Sequence, residues 1–116
     1  MKRLAPLAGI FWMFVGCSGG NPKTLGAAVE GAPVTVTSVQ QSNVESRVVL
    51  HGTMTKKCPV AGCWFLLHDA TGTIKVDTKN AGFVVLDVPL NTSVTVAGRV
   101  VTNGTERFID ATGVRY

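Results

Sequence analysis

Two short stretches, Asp69-Ala70-Thr71-Gly72 and Asn103-Gly104, restrict this chain more than any other feature, because each lies between runs rich in β-branched residues. In the first, Asp can accept from backbone amides just ahead of it and Gly can take a positive φ. The second is the strongest short hairpin signal a sequence offers. "GCWFLLHD" (62–69) and "GTIKVDT" (72–78) flank the first turn; "SVTVAGRVV" (93–101) and "TERFIDATGVRY" (105–116) flank the second. Both pairs read as β-hairpins, and from Val34 onward no segment longer than a turn or two carries a helical period.

Three further segments complete the pattern. "VESRVVLHGTMTKKC" (44–58) is too long for a flat strand, and Gly52 in its middle predicts a bulge that bends it. "PVTVTSVQ" (33–40) reads as a short edge strand, since Pro33 has no N–H to donate. "KNAGFVVLDVPLN" (79–91) is a connector with room for a turn of helix or a strand through Phe83-Val84-Val85. Gly98 and Gly113 are placed as bulges or close crossings. The expected fold is all-β, a five-stranded Greek-key barrel of OB-fold type with an extra N-terminal strand.

The first residues differ in character. Met1-Lys2-Arg3 precedes a nearly unbroken apolar run from Leu4 to Val15, then Gly16-Cys17-Ser18-Gly19-Gly20. A basic start, an apolar stretch too short to span a bilayer and small residues after it describe an export signal. Phe14-Val15-Gly16-Cys17 resembles the lipobox of bacterial lipoproteins, with Phe14 where that family has Leu. The resemblance implies a signal peptide at 1–16, lipidation of Cys17, and anchoring at the periplasmic or outer face of a bacterial membrane. Residues 17–32, rich in Gly and Ala, read as a flexible tether, and residues 33–116 as the folded domain. Without Lys2 and Arg3, nine basic residues face seven acidic ones. The pI of 9.3 therefore overstates any attraction to nucleic acid.

At "CWFLLHDATGTIKV" the sequence resembles the anticodon-binding-like branch of the OB-fold family, and "VTVAGRVV" is similar to that branch's fourth strand. It also resembles uncharacterised exported bacterial OB-type domains that share Cys-x-x-x-x-Cys-Trp ahead of an apolar strand. Here those positions are Cys58, Cys63 and Trp64, with Gly82, Phe83 and Pro89 matching a later segment. No settled activity comes with this resemblance.

Four residues separate Cys58 from Cys63, unlike the two-residue spacing of thioredoxin-like or zinc-knuckle motifs. In an oxidising compartment the pair is expected as a disulfide at the mouth of a hairpin. No metal is favoured; the alternatives are a soft-metal (copper or zinc) site using Cys58, Cys63 and Met54, which four-residue spacing would put on one face with Cys58, or a thiol-redox pair. His51 has the opposite parity to Cys58 and would need a Gly52 bulge to turn it round, and His68 has the opposite parity to Cys63.

Alternation places Phe65 and Leu67 on one face of their strand, and Trp64, Leu66 and His68 on the other. The OB-fold resemblance aligns Trp64 with an exposed stacking aromatic, which makes Phe65, Leu67, Ile74 and Val76 core. The ligand-face candidates are Trp64, His68, Lys75, Asp77 and Arg99, with Lys56 and Lys57 adding charge at the rim. Catalysis is not expected: the acids do not pair, the histidines have no nucleophile at an interpretable spacing, and no phosphate loop or other cofactor motif occurs. The chain thus reads as a non-enzymatic binding or assembly module of the cell envelope, its partner a membrane through the anchor and either an envelope protein or a small polar ligand. Metal or thiol-redox handling, and nucleic-acid binding through Trp64, His68 and Lys75, are the competing readings.

Overall fold

The computed structural model describes residues 23–60 and 62–116. The signal peptide, the lipobox and Cys17 lie outside these residues. The elements run β1 (Thr24–Gly26), α1 (Val36–Gln40), β2 (Arg47–Lys57), β3 (Trp64–Asp69), β4 (Gly72–Asp77), β5 (Ser93–Asn103) and β6 (Glu106–Arg115). Strands β3 and β4 pair around the Asp69–Gly72 turn, and β5 and β6 around Asn103–Glu106. The long β2 pairs with β3 through its second half and with β5 through its first. A parallel contact of β4 with Ile109 and Asp110 of β6 closes the ring. The result is the expected closed five-stranded barrel. Strand β1 lies outside the ring, on the part of β6 from Gly113 to Arg115 that β4 does not reach.

Strict alternation fills the barrel. Phe65, Leu67, Ile74 and Val76 are buried, as the OB-fold resemblance implies, and Leu50, Met54, Val94, Val96, Val100, Ile109 and Val114 join them in the core. Closing the sheet removes the open edges a five-stranded sheet would expose.

Four local expectations change. Residues 36–40 form a helix rather than a strand: the Thr35 hydroxyl caps Ser38 N–H, and Val36 and Val39, three apart, are both buried against the barrel. Only Val34 keeps a bridge, parallel to Leu50. The extra strand lies further upstream, at 24–26, where Gly and Ala had suggested a tether. It docks because Gly113 has no side chain: a Cβ there would strike the carbonyl oxygen of Ala27. The bulge in β2 falls between Met54 and Lys56, not at Gly52. Gly52 is a close crossing instead, where a Cβ would run into the His68 carbonyl oxygen. Gly98 does sit at a register shift, opposite Ala111. Finally, the 79–91 connector forms neither helix nor strand, but a series of turns that drops Val85 and Val88 into the core.

Lys57 secures that connector. The bulge gives Lys57 the inward position opposite Phe65, and its ammonium donates to the carbonyls of Val85, Leu86 (2.8 Å) and Val88. It is therefore a structural cation, not a rim charge. Replacing it by Met keeps the stem but orphans these acceptors, and urea unfolding of K57M is expected to show a loss of about 1.5–3 kcal/mol.

Candidate functional site

Among the described residues, side chains suited to recognition meet on the outer surface of β3, β4 and β6. Trp64 projects from β3 because Phe65 beside it is committed to the core. In register, Trp64 faces Asp77, and Leu66 faces Lys75, across the β3–β4 ladder. The parallel step from β4 to β6 sets Val76 beside Ile109, so Lys75 falls next to Phe108. The Lys75 ammonium lies 5.6 Å from the Trp64 ring centre and 6.0 Å from that of Phe108. A cation held between two ring faces keeps its charge while the rings stay partly open to solvent. All three residues are half-buried.

The other ligand-face candidates are placed less centrally. His68 is exposed at the far end of the same face, its Nδ1 2.9 Å from the Thr73 hydroxyl. Asp77 accepts from Lys79 N–H and lies 4.0 Å from its ammonium, which ties it to the turn after β4. Arg99 stands two strands away, its guanidinium bridging Glu45 (2.8 Å) and the buried Asp110 (2.9 Å). It holds β5 to β6 and does not join the cluster. Phe108 was not foreseen as part of this face. Its parity, opposite to the core residue Ile109, was the available signal, but only the β4–β6 contact reveals its neighbour.

Cys58 and Cys63 are half-buried at the end of β2 and just before β3. No disulfide joins them in the structure, and their thiols hydrogen bond to each other. Desolvation pushes the Cys63 thiol above its ordinary pKa, and the adjacent Cys58 sulfur raises it further. A raised pKa lowers the thiolate fraction, which opposes fast thiol exchange. The proposed metal set does not assemble: Met54 is in the core, and the bulge after it breaks the alternation that would have put Cys58 on its face. Among the described residues no three His, Cys, Asp or Glu side chains converge.

Two larger hollows border the docked N-terminal segment. One, of about 550 Å³, lies between Ala27–Val34 and strands β2 and β5, with Glu30 and Arg47 among its lining residues. The other, about 450 Å³, is lined by Asn80, Arg99 and Asp110. Their polar groups are already paired or scattered among alanines and glycines. Among the described residues no helix is long and apolar enough to cross a membrane.

Strand order and the closing parallel contact define an OB-fold protein. The comparisons go one step further. Residues 17–116 match the family model for the bacterial OB fold (BOF) protein, and the chain belongs to that family. Eight solved chains match in structure. One is the hypothetical protein YgiW from E. coli, with a TM-score of 0.59 and 24% identity over 73% of this chain and 89% of that one. At that identity the likeness carries the fold alone. No curated protein matches in sequence.

Proposed function

We propose that this chain is an exported, membrane-tethered binding or assembly module of the bacterial envelope, without enzymatic activity, that takes its partner on the outer face of β3, β4 and β6. The observation that carries the reading is the Trp64–Lys75–Phe108 cluster. Two aromatic faces around a cation that, among the described residues, has no carboxylate within ion-pair distance are equipped to take a partner. Export rests on Lys2, Arg3 and the apolar run that follows; the anchor rests on Cys17. If Cys17 carries lipid, few residues separate it from Lys23, so the barrel sits close to the bilayer.

A photo-crosslinking residue at Thr73, exposed on this face, is expected to give a covalent adduct in cells, resolved by mass spectrometry, that disappears when Trp64→Ala is added. The same residue at Glu30, on the far side, is expected to give none. Equal labelling from both positions would sink the assignment. Fractionation of Cys17→Ser tests the anchor: the protein is expected to leave the membrane fraction.

In the exporting compartment Cys58 and Cys63 lose two hydrogens to a thiol oxidant and form a disulfide across the β2–β3 loop. Their contact as thiols favours closure, and so short a loop contributes about 2 kcal/mol in the chain-entropy model. Intact mass with and without reductant reads the change directly. A protein that exports normally yet keeps both thiols rules the staple out.

A further inference from the structure

Where the recognition face meets the β5–β6 hairpin, a cavity of about 190 Å³ is lined by Lys75, Arg107, Thr73, Thr105, Gln40 and Glu106, among others. Arg107 is unusual within it. Its Nε is buried and has no hydrogen-bond partner, and among the described residues no carboxylate, Glu106 included, lies within ion-pair distance of its guanidinium. Buried donors are almost always satisfied, and a buried Nε–H without a partner needs a reason. Lys75 reaches the same cavity, and among the described residues its charge is answered only by the rings of Trp64 and Phe108.

We infer that this cavity is an oxyanion site: Arg107 and Lys75 bind a phosphate or carboxylate group whose attached ring or sugar lies on Trp64 and Phe108. The Nε edge of a guanidinium, with one Nη–H beside it, is the planar fork that matches two oxygens of such a group. Thr73, Thr105 and Gln40 supply neutral donors around it. Lys75 adds a point charge and links cavity to platform, since the same ammonium lines one and covers the other. The volume is below that of pockets holding whole drug-sized ligands. It suits an anionic head group, with the remainder of the ligand outside. Glu106 lines the same cavity, and its carboxylate opposes the anion that Arg107 and Lys75 attract, so that Glu106→Gln is expected to tighten binding. The inference rests on the proposed use of the β3–β4–β6 face and narrows what that face takes.

The test uses the full chain, ¹⁵N-labelled, titrated at constant ionic strength with inorganic phosphate, phenyl phosphate, benzoate and phenol. Phosphate is expected to shift the Arg107 Nε–H resonance downfield, as a new acceptor does. Phenyl phosphate is expected to bind more tightly than phosphate because its ring stacks. The phenyl phosphate and benzoate arms separate phosphate from carboxylate preference. Arg107→Gln is expected to weaken phenyl phosphate by about tenfold or more, the loss of a charge-assisted pair. Lys75→Gln is expected to weaken it less, and Arg107→Lys to fall between. Because the Arg107 guanidinium makes no side-chain hydrogen bond or ion pair among the described residues, R107Q should keep a dispersed spectrum and an unchanged or higher melting temperature; a large drop would assign Arg107 a structural role and overturn the inference. Phenol binding as tightly as phenyl phosphate, with Trp64 and Phe108 resonances moving and Arg107 still, would overturn the oxyanion site while leaving the face intact. No movement of Arg107 with any anion would do the same.

Discussion

Phe65→Ala is expected to remove about 3–5 kcal/mol of unfolding free energy, measured by urea denaturation. Among the described residues Phe65 is the largest fully buried side chain, and it stands at the middle of the barrel between β2 and β4, opposite Lys57 and Val76. Removing the ring leaves a void walled on all sides by a closed sheet, which cannot collapse inward without breaking strand pairing. Small single domains have only about 5–15 kcal/mol in total. The variant should therefore unfold at a much lower denaturant concentration, and a Phe65→Leu change should recover most of the loss. If F65A loses under 1 kcal/mol, with the slope unchanged, the described core is wrong.

Asp69→Ala should have the second largest effect, about 2–4 kcal/mol, because one carboxylate serves two elements. Its Oδ1 accepts from Thr71 N–H (2.7 Å), the Thr71 hydroxyl (2.7 Å) and Gly72 N–H (3.1 Å); its Oδ2 accepts from Val36 N–H at 2.9 Å. The first three shape the hairpin turn. The last fastens α1 across the end of the barrel. Burial opposes ionisation of Asp69, but the Thr71 hydroxyl and the amides of Val36, Thr71 and Gly72 outweigh it and hold the carboxyl below its ordinary pKa. A depressed folded-state pKa gives stability that is fully present above the unfolded-state value, about 4, and is lost as pH falls through the folded one. Acid titration of stability should thus flatten in Asp69→Asn, which keeps the shape without the charge. Equal acid sensitivity in D69N and the parent would assign the loss to other carboxylates.

Asp69 also shows how much was legible. Asp-x-Thr-Gly is a local turn signal, and three of its four bonds are local, so the residues alone predict them. The fourth reaches 33 positions back to Val36. Nothing in "PVTVTSVQ" announces that contact: its Val and Thr favour strand locally, and a five-residue helix is too short to form without the barrel end beneath it. The same limit applies to β1. "TLGAA" has a tether's composition, and it becomes a strand only because Gly113 leaves space on β6 for another backbone. Alternation in β2 predicted which residues face inward until the bulge reversed it, which put Lys57 inside and separated Cys58 from Met54.

What the sequence by itself determined is the barrel. Period-two alternation, two turns with fixed backbone demands and a long bent strand are local properties, and each states which side of a strand is apolar. Tertiary structure decided the site. Lys75 and Phe108 are 33 positions apart and become neighbours only through the parallel β4–β6 contact that closes the ring. Arg107, which no local pattern marks, acquires an unanswered buried edge only when the hairpin is set against β4. Closure is a non-local event, paid for by burial of the whole core, so the residues it brings together carry no mark in the chain before it folds.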